Sequence, residues 1–157
     1  MKKVLNFTTA LIFVIYLLLI LYFTLFDYAF GRNIFNIFNW SVTNFREYTE
    51  SSLNLVPFGT IKLMINGLIS ENITTKYFII NILGNFFLLS PLGYFLPKLY
   101  SNINKFWKFL LITAGISLLI EVLQLIFLTG SCDVDDFILN VLGAVVFYPI
   151  FNKLFNK

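Results

Sequence analysis

Ser117, Glu121 and Gln124 interrupt one strongly apolar stretch of this chain, and Asp136, Asn140 and Gly143 recur at helical spacing in the next. Residues three, four and seven apart lie on one face of a helix, so each set reads as a polar stripe. A third stripe, Asn81, Gly84, Asn85 and Leu88, lies upstream and runs on to Pro91 and Gly93. Ionisable and amide groups inside hydrophobic helices are costly, and they mark ligand contacts or proton pathways. Glu121 is the sharpest case. A carboxylic acid there is either protonated and hydrogen-bonded to Asn85 or Gln124, or ionised against a cation; both states suit a ligand site or a proton relay. The asparagines by themselves read first as interhelical glue, because such bonds are worth only about 0.6 kcal/mol on average.

The loop 130–136 carries Asp133, Asp135 and Asp136, oxygen ligands of the kind that Ca²⁺ and Mg²⁺ take. It lacks the ligand ladder and the glycine of an EF-hand loop, so helix capping is the preferred reading. Asp135 or Asp136, just before Phe137, would meet free backbone N–H groups and complement the helix dipole. No metal and no cofactor is expected. The chain has no histidine, which excludes zinc sites and Ser-His or Cys-His nucleophile pairs within one chain. Cys132 is the single cysteine; it has no basic neighbour to lower its pKa and is not read as a nucleophile.

These groups need helices in lipid to position them. Apolar residues make up 59% of the 157 and charged ones 12%, with a mean hydropathy of +0.84, the profile of an integral membrane protein. One composition regime without repeat or linker makes residues 1–157 a single domain. The formal charge of +3 and pI near 9.0 do not point to nucleic acid, since the basic residues sit at the ends of apolar segments. A spanning helix needs roughly 20 apolar residues. That predicts helices over about 5–26, 77–96, 109–128 and 137–151, the second ending at Pro97 and the last short and containing Pro149. The first follows Lys2-Lys3 as a signal peptide would, but its apolar run is long and no small-x-small cleavage site follows, so a retained helix is expected.

Lys2, Lys3, Lys98, Lys105, Lys108, Lys153 and Lys157 fall on one side of such a bundle without acidic company. Arg32, Arg46, Lys62 and Lys76 fall on the other, with Asp27, Glu47, Glu50, Glu71 and the three aspartates. The positive-inside rule then places both termini in the cytoplasm of a multi-pass protein of the cell membrane. In the long first outer loop, 27–76, Asn54 to Phe58 leads into the apolar run Ile61 to Asn66, with Pro57 suited to the first turn of a helix. This segment reads either as a short interfacial or re-entrant helix or as an amphipathic helix packed over the bundle. The expected fold is therefore an all-α integral membrane protein: four transmembrane helices, with a short interfacial or re-entrant helix in the first outer loop.

At about 1.5 Å of rise per residue, Asn81, Asn85, Glu121, Gln124 and Asn140 all fall in the outer part of the membrane, with the aspartates just above. The three stripes would face one another, since lipid-facing amides and carboxylates would be unsatisfied. The result is a polar pocket opening outward, where Gly84 and Gly143 could let backbones approach closely.

Four blocks in order, Asn54-Leu-Val-Pro-Phe58, Asn81-Ile-Leu-Gly-Asn85 with Pro91-Leu-Gly93, Ser117-x-x-x-Glu121-x-x-Gln124, and Asp133-Val-Asp-Asp136-x-x-x-Asn140-x-x-Gly143, resemble the VanZ-like family of small bacterial membrane proteins. The resemblance covers roughly Asn54 to Pro149, its last two blocks being the specific part. Nothing specific matches before Ser52. Many members carry an Arg between the glutamine and the acidic motif, whereas this chain has Thr129-Gly130-Ser131-Cys132. The resemblance implies low-level resistance to glycopeptide antibiotics, teicoplanin in particular. Joined to the polar stripes, it suggests a non-enzymatic cell-envelope protein whose outer pocket binds a lipid-linked or cell-wall-related ligand. The candidate ligand-binding set is Asn54, Asn81, Asn85, Glu121, Gln124, Asp133, Asp135, Asp136 and Asn140, with no catalytic residue assigned. Partners would be the lipid bilayer and a lipid-linked cell-wall precursor or the glycopeptide itself. The alternatives are a membrane enzyme on a lipid-linked envelope substrate, with Glu121 as general acid or base, and a small transporter or assembly subunit using the stripe as a pathway.

Overall fold

The computed structural model describes residues 2–26, 34–103 and 105–155. Asp27, Arg32 and Lys157, which contribute to the charge bias, lie outside the described residues. Helix α1 covers Lys2–Leu25, α2 Val42–Ser52, α3 Gly59–Ile69, α4 Thr75–Leu88, α5 Leu92–Leu99, α6 Phe106–Ile126 and α7 Val134–Phe155. Two-residue strands β1 (Leu53–Asn54) and β2 (Cys132–Asp133) and short 3-10 segments complete the order. Four helical stretches are long and apolar enough to cross a membrane: Phe7–Leu25, Thr75–Leu99, Phe106–Ile126 and Val134–Leu154. The chain is thus a multi-pass membrane protein, and an even number of crossings leaves both termini on one side. The distal end, opposite the termini, carries the α1–α4 and α6–α7 connections.

The second crossing is broken where continuity was expected. Pro91 has no N–H to extend the ladder and its ring opposes the carbonyl four residues back. The chain therefore makes a turn, Leu92 N donating to Leu89 O at 3.0 Å, before α5 begins. Leu88 O, which a continuous helix would pair with Leu92 N, instead accepts the Tyr16 hydroxyl at 2.6 Å. In lipid each such freed carbonyl must find a donor, and α1 supplies it. Pro97 lies inside α5 rather than ending the crossing, and the helix runs on to Leu99. The fourth crossing is also longer than expected: it starts at Val134, ahead of Phe137, and contains Pro149 without stopping.

Contacts at Gly143–Phe86 and at Gly93–Tyr148 advance together along the chain, so α7 runs parallel to the α4–α5 crossing. At Gly143 the approach is closest: a Cβ there would lie 1.6 Å from the Phe86 carbonyl oxygen, so only glycine fits. At Gly93 it would meet the Tyr148 backbone at 3.0 Å. Gly84 has no atom within 4 Å of the equivalent position and is not a contact glycine. Helix α6 runs antiparallel to α7, with Phe109 stacked on Tyr148 at 4.4 Å between ring centroids and Ser117 Oγ donating to Phe137 O at 3.4 Å. Helix α1 closes the bundle through Phe13 and Tyr16 against Phe95. The core is Phe13, Ile20, Leu89, Leu92, Phe95, Leu96, Phe109, Ile120, Ala144 and Tyr148, while Leu11, Leu18, Leu111 and Leu118 on the outer faces of α1 and α6 stay exposed, as lipid-facing residues do.

In the connection from α1 to α4, α2 is a surface helix that the sequence reading did not foresee. Ser41 caps it by accepting the Asn44 N–H at 3.0 Å, and Arg46 pairs with Glu50 one turn on at 3.0 Å. Helix α3 is apolar but only 11 residues long, too short to span. Pro57 precedes it instead of occupying its first turn, and Phe58 is its N-cap.

Gly143→Ala is expected to push α4 from α7 and to cost about 1–3 kcal/mol by overpacking. Gly84→Ala is expected to be neutral or stabilising by up to roughly 1 kcal/mol through helix propensity. Thermal denaturation of the detergent-purified variants, followed by the monodisperse fraction remaining, checks both.

Candidate functional site

The distal end is organised by carboxylates that receive backbone N–H groups. Strands β1 and β2 pair in parallel, Leu53 opposite Cys132 and Asn54 opposite Asp133. That register brings Asn54 Nδ2 to Asp133 Oδ1 at 3.2 Å and to Thr60 Oγ1 at 2.8 Å, while the Thr60 hydroxyl donates to Asp133 Oδ2. Asp133 Oδ1 also accepts the Asp135 N–H at 2.8 Å, which makes Asp133 the cap of α7. The capping expectation thus holds for the wrong residue, because α7 begins at Val134 and draws Asp135 and Asp136 into its first turn.

Asp135 caps a different helix. Its Oδ1 accepts the Phe58 N–H and its Oδ2 the Ile61 N–H at 3.0 Å, so one carboxylate satisfies two donors at the start of α3. Phe58 sits at φ 63°, a left-handed conformation unfavourable for a bulky residue, and its captured N–H helps hold it there. Glu121 Oε2 accepts the Asp133 N–H at 3.0 Å, a partner the stripe pattern did not indicate. Glu121, Asp133 and Asp135 are each at most 3% exposed. Among the described residues, no three Asp, Glu, Cys or His side chains converge as metal ligands would.

The amides occupy two other places. Gln124, 3% exposed, donates Nε2 to Thr24 O at 3.1 Å, meeting a carbonyl in the last turn of α1 that the helix leaves unpaired. Beside that carbonyl, Phe23, Thr24, Ile80, Asn81, Gly84, Asn85 and Leu88 line an open-sided cavity of about 260 Å³ between α1 and α4. Asn81 Oδ1 is buried and has no hydrogen-bond partner, and the same holds for both polar atoms of the Asn140 side chain, a residue 1% exposed. Counting from the starts of α4 and α7, Asn81 and Asn140 both lie about 9 Å deep. Asp136 is buried in the first turn of α7.

The structure therefore divides the candidate set. Asn54, Glu121, Asp133 and Asp135 form one hydrogen-bonded cluster under α3; Asn81 and Asn85 line the cavity; Gln124 ties α6 to the end of α1; Asp136 is buried in the first turn of α7 and Asn140 within the bundle. Thr60, Thr24 and Tyr16 were missed. Thr60 follows the Asn54 motif by a few residues and carried a hydroxyl that could have signalled it, whereas Tyr16 and Thr24 contribute through contacts that no local pattern encodes.

The Cys132 thiol is pushed up from its ordinary value by burial first, and then by the charges of Glu121 and Asp133. A raised pKa means less thiolate at a given pH, so half-maximal alkylation by a maleimide is expected above the pH of about 8.5 typical of a free thiol. Glu121→Gln removes one of the two charges and is expected to bring that midpoint down. Asp135→Ala strands the Phe58 and Ile61 N–H groups at a cost of about 1–3 kcal/mol each. Hydrogen exchange is expected to accelerate in the segment 55–61 and to stay unchanged in α6. Asp135→Asn, which keeps one acceptor oxygen, is expected to fall between.

No curated protein and no solved structure matches this chain. The family described as VanZ/LLP1 matches residues 13–156, which takes in most of the first crossing and the loop before Ser52 as well as the four sequence blocks. With that match over nearly the whole chain and four crossings in the expected order, the protein belongs to the VanZ family of membrane proteins.

Proposed function

We propose that this VanZ-family protein is a non-enzymatic binding protein of the cell membrane, with both termini in the cytoplasm, whose outward-facing half holds a lipid-linked or cell-wall-related ligand. Bound there, the ligand lowers the access of a glycopeptide such as teicoplanin to its target. The orientation rests on the lysines that flank the termini and the α5–α6 turn, against the acidic distal end. The observation that carries the reading is the cavity of about 260 Å³ between α1 and α4, where Thr24, Asn81 and Asn85 interrupt an apolar lining. A few polar groups in an apolar cavity is the usual make-up of a ligand site.

The acidic residues support this division of labour. Glu121, Asp133 and Asp135 accept the N–H groups of Asp133, Asp135 and Ile61 at 3.0, 2.8 and 3.0 Å, a use that fixes the distal loops. In this reading they shape the site and the amides meet the ligand.

Expression in a susceptible Gram-positive host tests the reading. Wild type is expected to raise the inhibitory concentration of teicoplanin, and Asn81→Leu to abolish the rise at equal membrane levels on an immunoblot. Glu121→Gln is expected to weaken protection only partly, since a neutral amide oxygen still accepts the Asp133 N–H. Protection unaffected by Asn81→Leu would overturn the assignment of the cavity.

A further inference from the structure

We infer that the segment 55–58 is an apolar tip that inserts into the lipid leaflet at the distal end, with α3 lying in the plane of that interface behind it. The inference is independent of the cavity between α1 and α4. Leu55, Val56 and Phe58 are 67%, 65% and 64% exposed, and Pro57 between them is exposed as well. Four successive apolar residues turned outward have no place in a water-facing loop and mark an interaction surface. The backbone of Phe58 points the same way. It holds φ 63° and ψ 10°, which a residue with a Cβ adopts at a cost and glycine adopts freely. A ring that is mostly exposed regains little of that cost by packing within the chain. Strain kept at such a position marks a functional constraint, here the need for an aromatic side chain at the tip.

Depth decides what covers the tip. The Phe58 N–H is bonded to Asp135 Oδ1, and Asp135 lies in the first turn of α7. The crossing Val134–Leu154 has 21 residues. At 1.5 Å of rise per residue it is about 30 Å long, which matches a hydrocarbon core of about 30 Å. Its first turn therefore sits at the hydrocarbon boundary, and Asp135 holds the tip at that level. An exposed apolar group there meets lipid, as do the exposed Ile80 and Leu83 of α4, the helix that α3 packs against. The exposed face of α3 is laid out for the same boundary. Lys62, Asn66 and Ser70 recur every four residues in one polar row, with Leu63 on one side and Ile65 and Ile69 on the other, all exposed. A polar row toward water with apolar flanks is the layout of a helix lying in the interface.

Fluorescence quenching of the full chain in nanodiscs of phosphatidylglycerol and phosphatidylcholine tests the tip. In a Cys132→Ser background, Val56→Cys and, separately, Asn66→Cys are labelled with the dye NBD. The label at position 56 is expected to be quenched by lipid carrying a doxyl group near the head of its chain. Aqueous iodide is expected to quench it several-fold less than the label at position 66. Equal iodide quenching at the two positions overturns the insertion. So does a label at position 56 shielded from both quenchers, which would assign the tip to a protein partner or a second copy. Phe58→Gly separates the tip from the fold. It is expected to melt no lower than wild type in detergent, since glycine takes the left-handed conformation without strain, and to raise iodide quenching at position 56. Melting well below wild type would show that the ring is packed within the chain, and unchanged quenching at position 56 would remove Phe58 from the anchor; either result overturns the role assigned to that residue.

Discussion

The distal half of this protein depends on the carboxylate pair Asp133 and Asp135, which converts unpaired backbone N–H groups into bonded ones at a place where water is scarce. Asp133 caps α7, and Asp135 reaches across to the start of α3. Removing backbone donors from water without a partner costs more than most side-chain contacts return. Asp135, in the first turn of α7, therefore fixes where α3 begins, and Asp133, in the strand just before it, holds the two segments in register beside Asn54. Glu121 closes the arrangement from α6 by accepting the Asp133 N–H. Acids that look like a reactive cluster in the sequence are, in the folded chain, the acceptors that let irregular backbone exist next to membrane helices.

The same constraint governs carbonyls. Breaking the second crossing at Pro91 frees Leu88 O, which Tyr16 meets; ending α1 frees Thr24 O, which Gln124 meets. At the end of α6, Leu128 O accepts the Asn36 amide at 2.9 Å and Gly130 O the Tyr48 hydroxyl at 3.1 Å. Each of these bonds joins segments distant in sequence, so satisfying the backbone and assembling the bundle are one process. Packing then follows from size: Gly143 admits the Phe86 carbonyl and draws α4 onto α7. Helix α1 has no such glycine contact with α4 among the described residues, and the space between those two helices is the cavity.

The buried polar residues are thereby divided by whether the fold uses their hydrogen bonds. Most of the buried polar groups are engaged in holding backbone, and among the described residues Asn81 Oδ1 and the Asn140 amide are buried without a hydrogen bond.

The sequence by itself determined the membrane class, the number and order of crossings, the presence of an apolar helix before the second crossing, and the polar faces of α4, α6 and α7. These follow from hydropathy and from the period of the helix, which are local properties. It also carried the family, because the order of Asn54, Asn81, Glu121 and Asp133 blocks is itself a sequence property. Only the tertiary structure decided which face meets which. Helical periodicity placed Glu121 on a face with Gln124, but only the fold, by laying β2 over α6, brings it the Asp133 N–H. Periodicity likewise treated Gly84 and Gly143 alike, and one proves to be a helix contact and the other a cavity wall. The reason is physical: a stripe says that a face must be covered, whereas the partner that covers it is set by backbone groups at helix ends, which carry no signature in the residues that happen to bear them.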